Sequence, residues 1–207
     1  MLIDIHIHTS QFSSDSSIDP EEAIVKAKES GLGGICFTDH NKGWDIGEIE
    51  RLRNKYDYPL FAGVEIDTVE GHVLVFGAAI NIDGPIRVVK LRELVIGAGG
   101  FMIAAHPLKG YRVFNMADLN STPDQAAQRP IMRNIDAIET ANGKCNEREN
   151  SQAADVARIL NLATTGGSDA HSLDEIGSCV TKFEDKLLEI PEFLAALKSG
   201  HYKAVKR

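Results

Sequence analysis

Residues 2–8 read Leu-Ile-Asp-Ile-His-Ile-His, an apolar run that ends in the two histidines His6 and His8. Side chains two positions apart on a β-strand point to the same side, so this stretch predicts a strand that carries both imidazoles to one place. Four further apolar runs end in a similar way, and they lead into His40, Glu65, His106, and Asp169 with His171. Imidazoles and carboxylates at the ends of several strands are what a polynuclear metal site requires.

Other polar residues near these runs have an ordinary interpretation beside the metal one. His72 opens a predicted strand, where a half-exposed histidine without a ligand role is nearly as good a reading. Asp15 lies in the Ser-rich stretch 13–17, and alone it would be a turn acid. Asp39, beside His40, is free to orient a metal-binding imidazole without binding the metal itself. His201 is interpreted as a surface residue. A metal site is favoured only because the candidate residues, taken together, lie at the ends of predicted strands.

Short apolar runs alternate with amphipathic segments along the chain. Strands are predicted over residues 2–7, 34–38, 60–64, 73–79, 101–105, 135–139 and 162–165. Helices are predicted between the start signal Asp19-Pro20 and the stop signal Ser30-Gly31, and over residues 46–55, 85–98, 147–160 and 191–198. The helix over 147–160 should turn Ala153, Ala154, Ala157 and Leu160 inward. Residues 107–130 predict a long functional loop with one short helix.

This alternation of strand and helix predicts an α/β fold whose parallel sheet is covered on both faces or closed as a barrel. Functional residues at many strand ends favour the barrel, because a doubly wound open sheet would gather them at one switch point. The 207 residues are few for eight full strand–helix units, and no linker or repeat is visible. We therefore expect one domain over residues 1–207, built as a distorted or incomplete barrel.

The overall composition is that of an ordinary globular protein, with 43% hydrophobic and 25% charged residues. A formal net charge of −8 argues against a large basic face for nucleic acid, yet it allows an anionic substrate, since bound metals would dominate the local field. Three distant cysteines, Cys36, Cys145 and Cys179, indicate a reducing compartment and buried, inert thiols. There is no signal-peptide pattern and no apolar run near about 18 residues, so we expect a cytoplasmic protein without a membrane span.

The order of the motifs resembles that of the polymerase and histidinol phosphatase (PHP) family. The order is His-x-His, an aspartate seven residues on, Thr-Asp-His, Gly-x-Glu, Ala-His-Pro and Ser-Asp-Ala-His, and the resemblance runs from residue 2 to about residue 177. The segment around Glu139 and Asn142 is also similar to the C-terminal part of single-domain PHP phosphoesterases. The resemblance implies a distorted (β/α)7 TIM-like barrel with a trinuclear metal site at the carboxyl ends of its strands.

The resemblance also implies a ligand set when it is carried over residue by residue. The first ion would be held by His6, His8, Glu65 and Asp169. Glu65 would bridge to a second ion, whose other ligands would be His106 and His72. The third ion would be held by Asp15, His40 and His171. Glu65 and Asp169 are the carboxylates that the resemblance places at the catalytic centre.

A charge count favours a phosphate ester as the substrate. Three divalent ions bring +6, against which Asp15, Glu65 and Asp169 bring −3 and a bridging hydroxide brings −1, and the remainder of about +2 matches a phosphomonoester dianion. A metal-activated water then makes a serine or cysteine nucleophile unnecessary. The imidazole-rich ligand set favours two to three ions of Zn²⁺, Mn²⁺ or Fe²⁺ over Mg²⁺.

The leading hypothesis is a metal-dependent phosphoesterase that acts on a small phosphorylated metabolite or nucleotide and has no membrane or stable nucleic-acid partner. Lys109, Arg112 and Arg148 follow predicted strand ends and are candidate phosphate contacts, although solvated surface charge is an equal reading of each. Two other enzymes stay open: an exonuclease on short oligonucleotides, which would need basic and stacking side chains, and an amidohydrolase-like enzyme on a neutral C–N bond. A non-enzymatic module fits least, because the ligand set is complete. The oligomeric state stays open.

Overall fold

A computed structural model describes residues 1–109 and 122–207, and within these ranges the chain forms nine strands and six α-helices. The strands are β1 (Leu2–Ile7), β2 (Gly34–Phe37), β3 (Leu60–Thr68), β4 (Gly71–Phe76), β5 (Phe101–Ala104), β6 (Ala137–Asn142), β7 (Ala163–Gly167), β8 (Cys179–Phe183) and β9 (Tyr202–Lys206). The helices are α1 (Pro20–Glu29), α2 (Ile46–Tyr56), α3 (Val88–Gly97), α4 (Pro123–Ala127), α5 (Glu147–Leu160) and α6 (Ile190–Ser199). Each predicted strand and helix overlaps one of these elements.

The nine strands form one sheet in the order β7-β6-β5-β4-β3-β2-β1-β8-β9. The pairs β1–β2, β2–β3, β5–β6 and β6–β7 are parallel, as predicted. The prediction of a wholly parallel sheet is wrong at two places, because β4 runs antiparallel to both β3 and β5, and β8 runs antiparallel to β1. The turn between β3 and β4 is too short for a crossover helix, so a hairpin is the only connection that it allows.

The sheet curls into a nearly closed barrel, and hydrogen bonds beside the predicted site bring β1 and the segment after β7 together. The amide of His8 donates to the carbonyl of Ala170 over 3.0 Å, and the amide of Asp169 donates to the carbonyl of His6 over 2.8 Å. These bonds join the end of β1 to the segment that follows β7. Two motifs that lie at opposite ends of the sequence are thereby fixed side by side.

An aromatic cluster fills the barrel at the end opposite these motifs. Phe193 of α6 stacks on Phe61 with a centroid distance of 4.4 Å and also packs against Phe76 and Phe183. All four side chains are almost fully buried. Because Phe61 lies near the start of β3 and Glu65 lies further along the same strand, the closed end and the predicted site are on opposite sides of the barrel.

The helices follow the local signals of the sequence, with two differences that have physical reasons. The Asp19 side chain accepts the amides of Glu21 and Glu22 and so caps α1 as predicted. Helix α3 begins at Val88, three residues later than predicted, because the Glu70 carboxylate from the β3–β4 turn accepts the Val88 amide over 2.8 Å and takes the place of a local cap.

The second difference is on α5, where Ala153 and Ala157 are buried as predicted but Ala154 is exposed. Val156 takes the inward position instead, because the 3.6-residue period places it beside Ala153 and Ala157.

Strands β8 and β9 have no counterpart in the prediction. Strand β8 pairs with β1 on one side and β9 on the other, both antiparallel. Its short run Cys-Val-Thr-Lys-Phe becomes a strand only because two neighbours are available for hydrogen bonding. The predicted loop over residues 107–130 contains α4 as its one described α-helix, while residues 110–121 lie outside the described ranges. Across the described part of the chain, no helix has the length and apolar character needed to span a bilayer.

Candidate metal centre

The structure brings all nine predicted ligands to the mouth of the barrel where the parallel strands end. His6 lies on β1 with His8 directly after it, Glu65 lies on β3 and His72 on β4, and His40, His106 and the pair Asp169 and His171 follow β2, β5 and β7. Asp15 reaches the same mouth from the β1–α1 loop, with Oδ2 at 3.4 Å from His40 Nε2 and 3.3 Å from His171 Nε2. The convergence expected from strand ends is therefore present.

Glu65 lies at the centre of this cluster, and its two oxygens face different imidazoles. Oε1 is 2.9 Å from His106 Nε2 and 3.2 Å from His72 Nδ1. Oε2 is 3.3 Å from His8 Nε2 and 3.2 Å from His40 Nδ1. A carboxylate whose two oxygens face different imidazole nitrogens has the geometry of a ligand that bridges two ions.

Three groups of ligand atoms in the described residues are compact enough to hold an ion, each with its atoms within 4.8 Å of one another. The groups are His6–His8–Asp169, His6–Glu65–His106 and His8–His40–His171. Asp15 and His72 belong to none of the three, although each lies close to one of their members. None of the groups contains a cysteine; Cys36 and Cys179 are buried and Cys145 is half-buried.

A metal site needs ionised carboxylates and neutral imidazoles, and the electrostatics of the cluster favour the ionised carboxylates. Burial alone would raise the pKa of Glu65, but the surrounding histidines, His6 first, hold it well below its ordinary value. Burial also lowers the pKa of His40, which favours its neutral form. Around His6 the carboxylates outweigh burial and raise the pKa of its imidazole well above the ordinary value, so the pocket strongly favours positive charge.

Two buried atoms at the centre lack a hydrogen-bond partner. Glu65 Oε2 and His40 Nδ1 lie 3.2 Å apart, yet neither forms an aligned hydrogen bond with any described residue. Buried polar atoms are normally paired, so such a pair calls for an unseen partner. A divalent cation between an imidazole nitrogen and a carboxylate oxygen satisfies both atoms, and the residues present therefore fit a metal.

Glu139 contacts two of the predicted ligands, His6 and His106, and sequence reasoning gave it no role. Its Oε1 is 3.0 Å from His6 Nδ1, and its Oε2 accepts the backbone amide of His106 over 2.8 Å and the Asn142 side chain over 2.9 Å. It is fully buried on β6. The signal was available, because the apolar run before Glu139 ends in an acid just as the run before Glu65 does.

Asp39 supports the cluster in a different way from the one expected. Its oxygens accept hydrogen bonds from Thr9, Ser13 and the Trp44 indole, and it contacts no imidazole directly. The single hydroxyl proton of Ser13 goes to Asp39, so Ser13 Oγ accepts from His8 Nδ1 at 3.1 Å. Asp39 thus orients His8 through Ser13 and leaves His8 Nε2 unprotonated towards the cluster.

The three predicted phosphate contacts have different positions. Lys109 extends into the mouth, with Nζ at 2.6 Å from Asp169 Oδ2. Arg148 is exposed in the first turn of α5. Arg112 lies outside the described residues. His201 is exposed, as expected.

Comparison with known families shows the family of this chain. The profile of the PHP domain family matches residues 4–137, and a PHP-associated profile matches residues 147–202. Since the first match covers more than half of the 207 residues, the chain belongs to the PHP domain family. An uncharacterized protein of Methanocaldococcus jannaschii is 25% identical over 198 residues, which are 94% of this chain and 76% of the relative.

Solved structures share the fold at low sequence identity. A two-domain protein from Bacteroides vulgatus that contains a predicted PHP-like metal-dependent phosphoesterase matches with a TM-score of 0.75 at 20% identity, over 100% of this chain and 65% of the other. This chain therefore spans just under two thirds of that protein. An amidohydrolase from Chromobacterium violaceum with bound sulfate and no metal matches with a TM-score of 0.68 at 15% identity, over 99% and 97% of the two chains.

Proposed function

We propose that this protein is a metal-dependent phosphoesterase that hydrolyses a small phosphomonoester at a site of two to three divalent ions. The observation on which this rests most is the position of Glu65, whose two carboxylate oxygens face separate sets of imidazoles within 3.3 Å. A single bridging carboxylate holds two ions at the spacing used for in-line displacement at phosphorus. The imidazole-rich set favours Zn²⁺, Mn²⁺ or Fe²⁺.

In this proposal each group of side chains has a separate task. The first ion would be held by His6, His8, Glu65 and Asp169, the second by Glu65, His106 and His72, and the third by Asp15, His40 and His171. Ions held there would lower the pKa of a bound water and neutralise the phosphoryl oxygens. Glu65 and Asp169 fix the spacing and charge of the centre.

Lys109 gives the site a preference for anions. Its ammonium group lies at the mouth. Burial lowers its pKa, but the neighbouring Asp169 carboxylate outweighs burial and leaves the pKa raised, so Lys109 stays charged at neutral pH. A cation beside the reacting centre stabilises a phosphate dianion and offers nothing to a neutral C–N substrate. Arg112 and Arg148 are further candidate contacts for the same phosphate. A small phosphorylated metabolite or nucleotide is the proposed substrate class.

The test is hydrolysis by the metal-reconstituted full chain. The protein is loaded separately with Zn²⁺, Mn²⁺ and Fe²⁺ and offered p-nitrophenyl phosphate, sugar phosphates, nucleotides, short oligonucleotides and a set of amides. We expect release of inorganic phosphate from at least one monoester, and its loss in Glu65→Gln under the same loading. Cleavage confined to oligonucleotides or to amides would replace this proposal with one of the two other hydrolases.

A further inference from the structure

We infer that Glu139 is a positioning residue for the metal centre. Its carboxylate orients the ring of His6 and the backbone of His106 without binding an ion itself. The inference rests on the metal site of the proposed function. Glu139 holds no place in the ligand groups themselves, and its contacts are to two residues that do. These two residues come from different strands, so one carboxylate controls the alignment of two ligands.

The burial of Glu139 argues for a role beyond stability. The side chain has no exposed surface, and all six residues of β6 are buried. Its described hydrogen bonds come from His6, His106 and Asn142, and neither lysine nor arginine contributes to them. A buried carboxylate without a cationic side chain costs folding energy, and an apolar residue would fill such a strand position better. The negative charge is useful where it faces a site that holds cations.

Proton counting shows what Glu139 does to His6. Glu139 Oε2 accepts from two N–H groups, those of His106 and Asn142, and in the same acceptor role Oε1 takes the Nδ1 proton of His6 across the 3.0 Å contact. The lone pair of the neutral ring is then on Nε2, which faces the cluster at 3.6 Å from Glu65 Oε1 and 3.7 Å from Asp169 Oδ1. A ring with the opposite tautomer would direct a proton at the ion instead. Glu139 therefore selects the form of His6 that can bind a metal.

The second contact fixes the turn that delivers His106. This residue has a positive φ of 31°, a conformation that side-chain-bearing residues rarely adopt, and its amide is held by Glu139 Oε2 at 2.8 Å. From that turn, His106 Nε2 reaches Glu65 Oε1 at 2.9 Å. On β7, the strand next to that of Glu139, Gly167 keeps the space beside His6 and Glu139 open, because a Cβ there would lie 2.4 Å from His6 Cβ and 2.8 Å from Glu139 Oε1.

The experiment compares Zn²⁺ binding by the full chain as wild type, Glu139→Gln and Asp136→Asn. Gln has nearly the shape of Glu, but it loses the charge and cannot accept on both sides. Asp136 is the matched control, since it also accepts a backbone amide, that of Met102 on β5 at 2.9 Å, and its other described partner is Arg92. The readouts are bound zinc per chain and its affinity, from calorimetry with a competing chelator and elemental analysis.

We expect Glu139→Gln to weaken the ions that His6 and His106 hold by about 10–100-fold and to leave the ion of Asp15, His40 and His171 in place. Asp136→Asn should bind zinc as the wild type does, even if its unfolding temperature falls. Wild-type zinc affinity in Glu139→Gln would overturn the inference while leaving the proposed function intact. If zinc binding follows this pattern but the protein hydrolyses no phosphate ester, the inference stands and the proposed function is overturned.

A second measurement needs no variant and so does not depend on the folding of Glu139→Gln. Long-range ¹H–¹⁵N spectra of the zinc-loaded wild type, labelled at histidine, report which ring nitrogen carries the proton. We expect His6 to be protonated on Nδ1 and to bind zinc through Nε2. A proton on Nε2, or zinc on Nδ1, would overturn the inference, and so would a wild type that binds no zinc, which would also remove the metal site of the proposed function.

Discussion

The two halves of the candidate site differ in burial and in support. The inner half consists of His6, His8, Glu65, His106 and Asp169; His6 and His8 are fully buried and Glu65 and Asp169 are 1% and 2% exposed. The outer half consists of Asp15, His40, His72 and His171, and the side chain of Asp15 is 56% exposed. Inner ligands lie on strands or directly after them and are held from behind, His6 and His106 by Glu139 and His8 by Ser13.

This difference indicates a division of labour. Buried ligands with locked rotamers hold their ions at fixed spacing, which in-line chemistry requires. Loop ligands with solvent access can adjust to a substrate and exchange their ion more readily. Asp15, in the loop between β1 and α1, meets His40 and His171 at 3.4 and 3.3 Å, so the outer half depends on an exposed loop residue. We expect the inner half to be necessary for any activity and the outer half to tune it.

The largest effect should come from the residue that joins the two halves. Glu65→Gln should lower kcat/KM for the best phosphomonoester on the order of 10²–10³-fold or more, because it removes the bridge and one negative charge at a buried centre. His72→Ala, the loss of one half-exposed terminal ligand, should cost about tenfold. Steady-state kinetics with metal analysis of both variants checks this. Equal and small losses would show that Glu65 is not the bridge.

The close packing behind the inner half can be tested without any substrate. Gly167→Ala should lower the free energy of unfolding by about 1–3 kcal/mol, because its Cβ would overlap His6 and Glu139. Gly97→Ala is the control in α3, where a Cβ meets nothing within 4 Å, and it should stabilise by up to about 1 kcal/mol. Urea unfolding of the metal-free proteins measures both. A neutral Gly167→Ala would mean that the inner half tolerates rearrangement.

The outer half should respond by losing a single ion. Asp15→Asn removes the one anionic ligand of the third ion, which lies in an exposed loop, so the third ion should be lost while the pair at Glu65 stays bound. We expect kcat/KM for phosphomonoesters to fall about 10–100-fold. Elemental analysis before and after dialysis gives the metal content. Loss of all metals together, or full retained activity, would contradict the separation of the two halves.

The smallest effect should come from Lys109, the cation beside Asp169 at the mouth. Lys109→Gln should raise KM for a phosphomonoester about tenfold with little change in kcat, since a charged hydrogen bond contributes about 1.5–3 kcal/mol at most. Arg148→Gln, at an exposed position, should change KM about twofold or less. Steady-state kinetics of the two variants, measured in parallel, shows which of the two side chains contributes more to KM. A larger effect for Arg148→Gln would place the phosphate nearer to α5 than proposed.

Much of the fold could be predicted because its signals are local. The capping residue Asp19 and the apolar period of α1 lie within a few positions of one another, and the same holds for the run that forms β1. The direction of β4 was equally accessible, since two residues between strands allow only a hairpin, yet the prediction of a parallel sheet overlooked it. Strands β8 and β9 were harder, because short runs become strands only beside partners.

For the site, the sequence by itself determined the identity of the ligand-type residues and their placement at strand ends. Alternation along β1 is enough to set His6 and His8 on one side. Only the tertiary structure decided which oxygen of Glu65 faces which imidazole, that Asp39 acts through Ser13, and that Glu139 supports His6 from 133 positions away. Such contacts leave no trace in neighbouring residues, because the two partners meet only when the barrel closes. The alternation along a strand determines on which side of the sheet a residue lies. Closure of the sheet into a barrel determines which residues it contacts there.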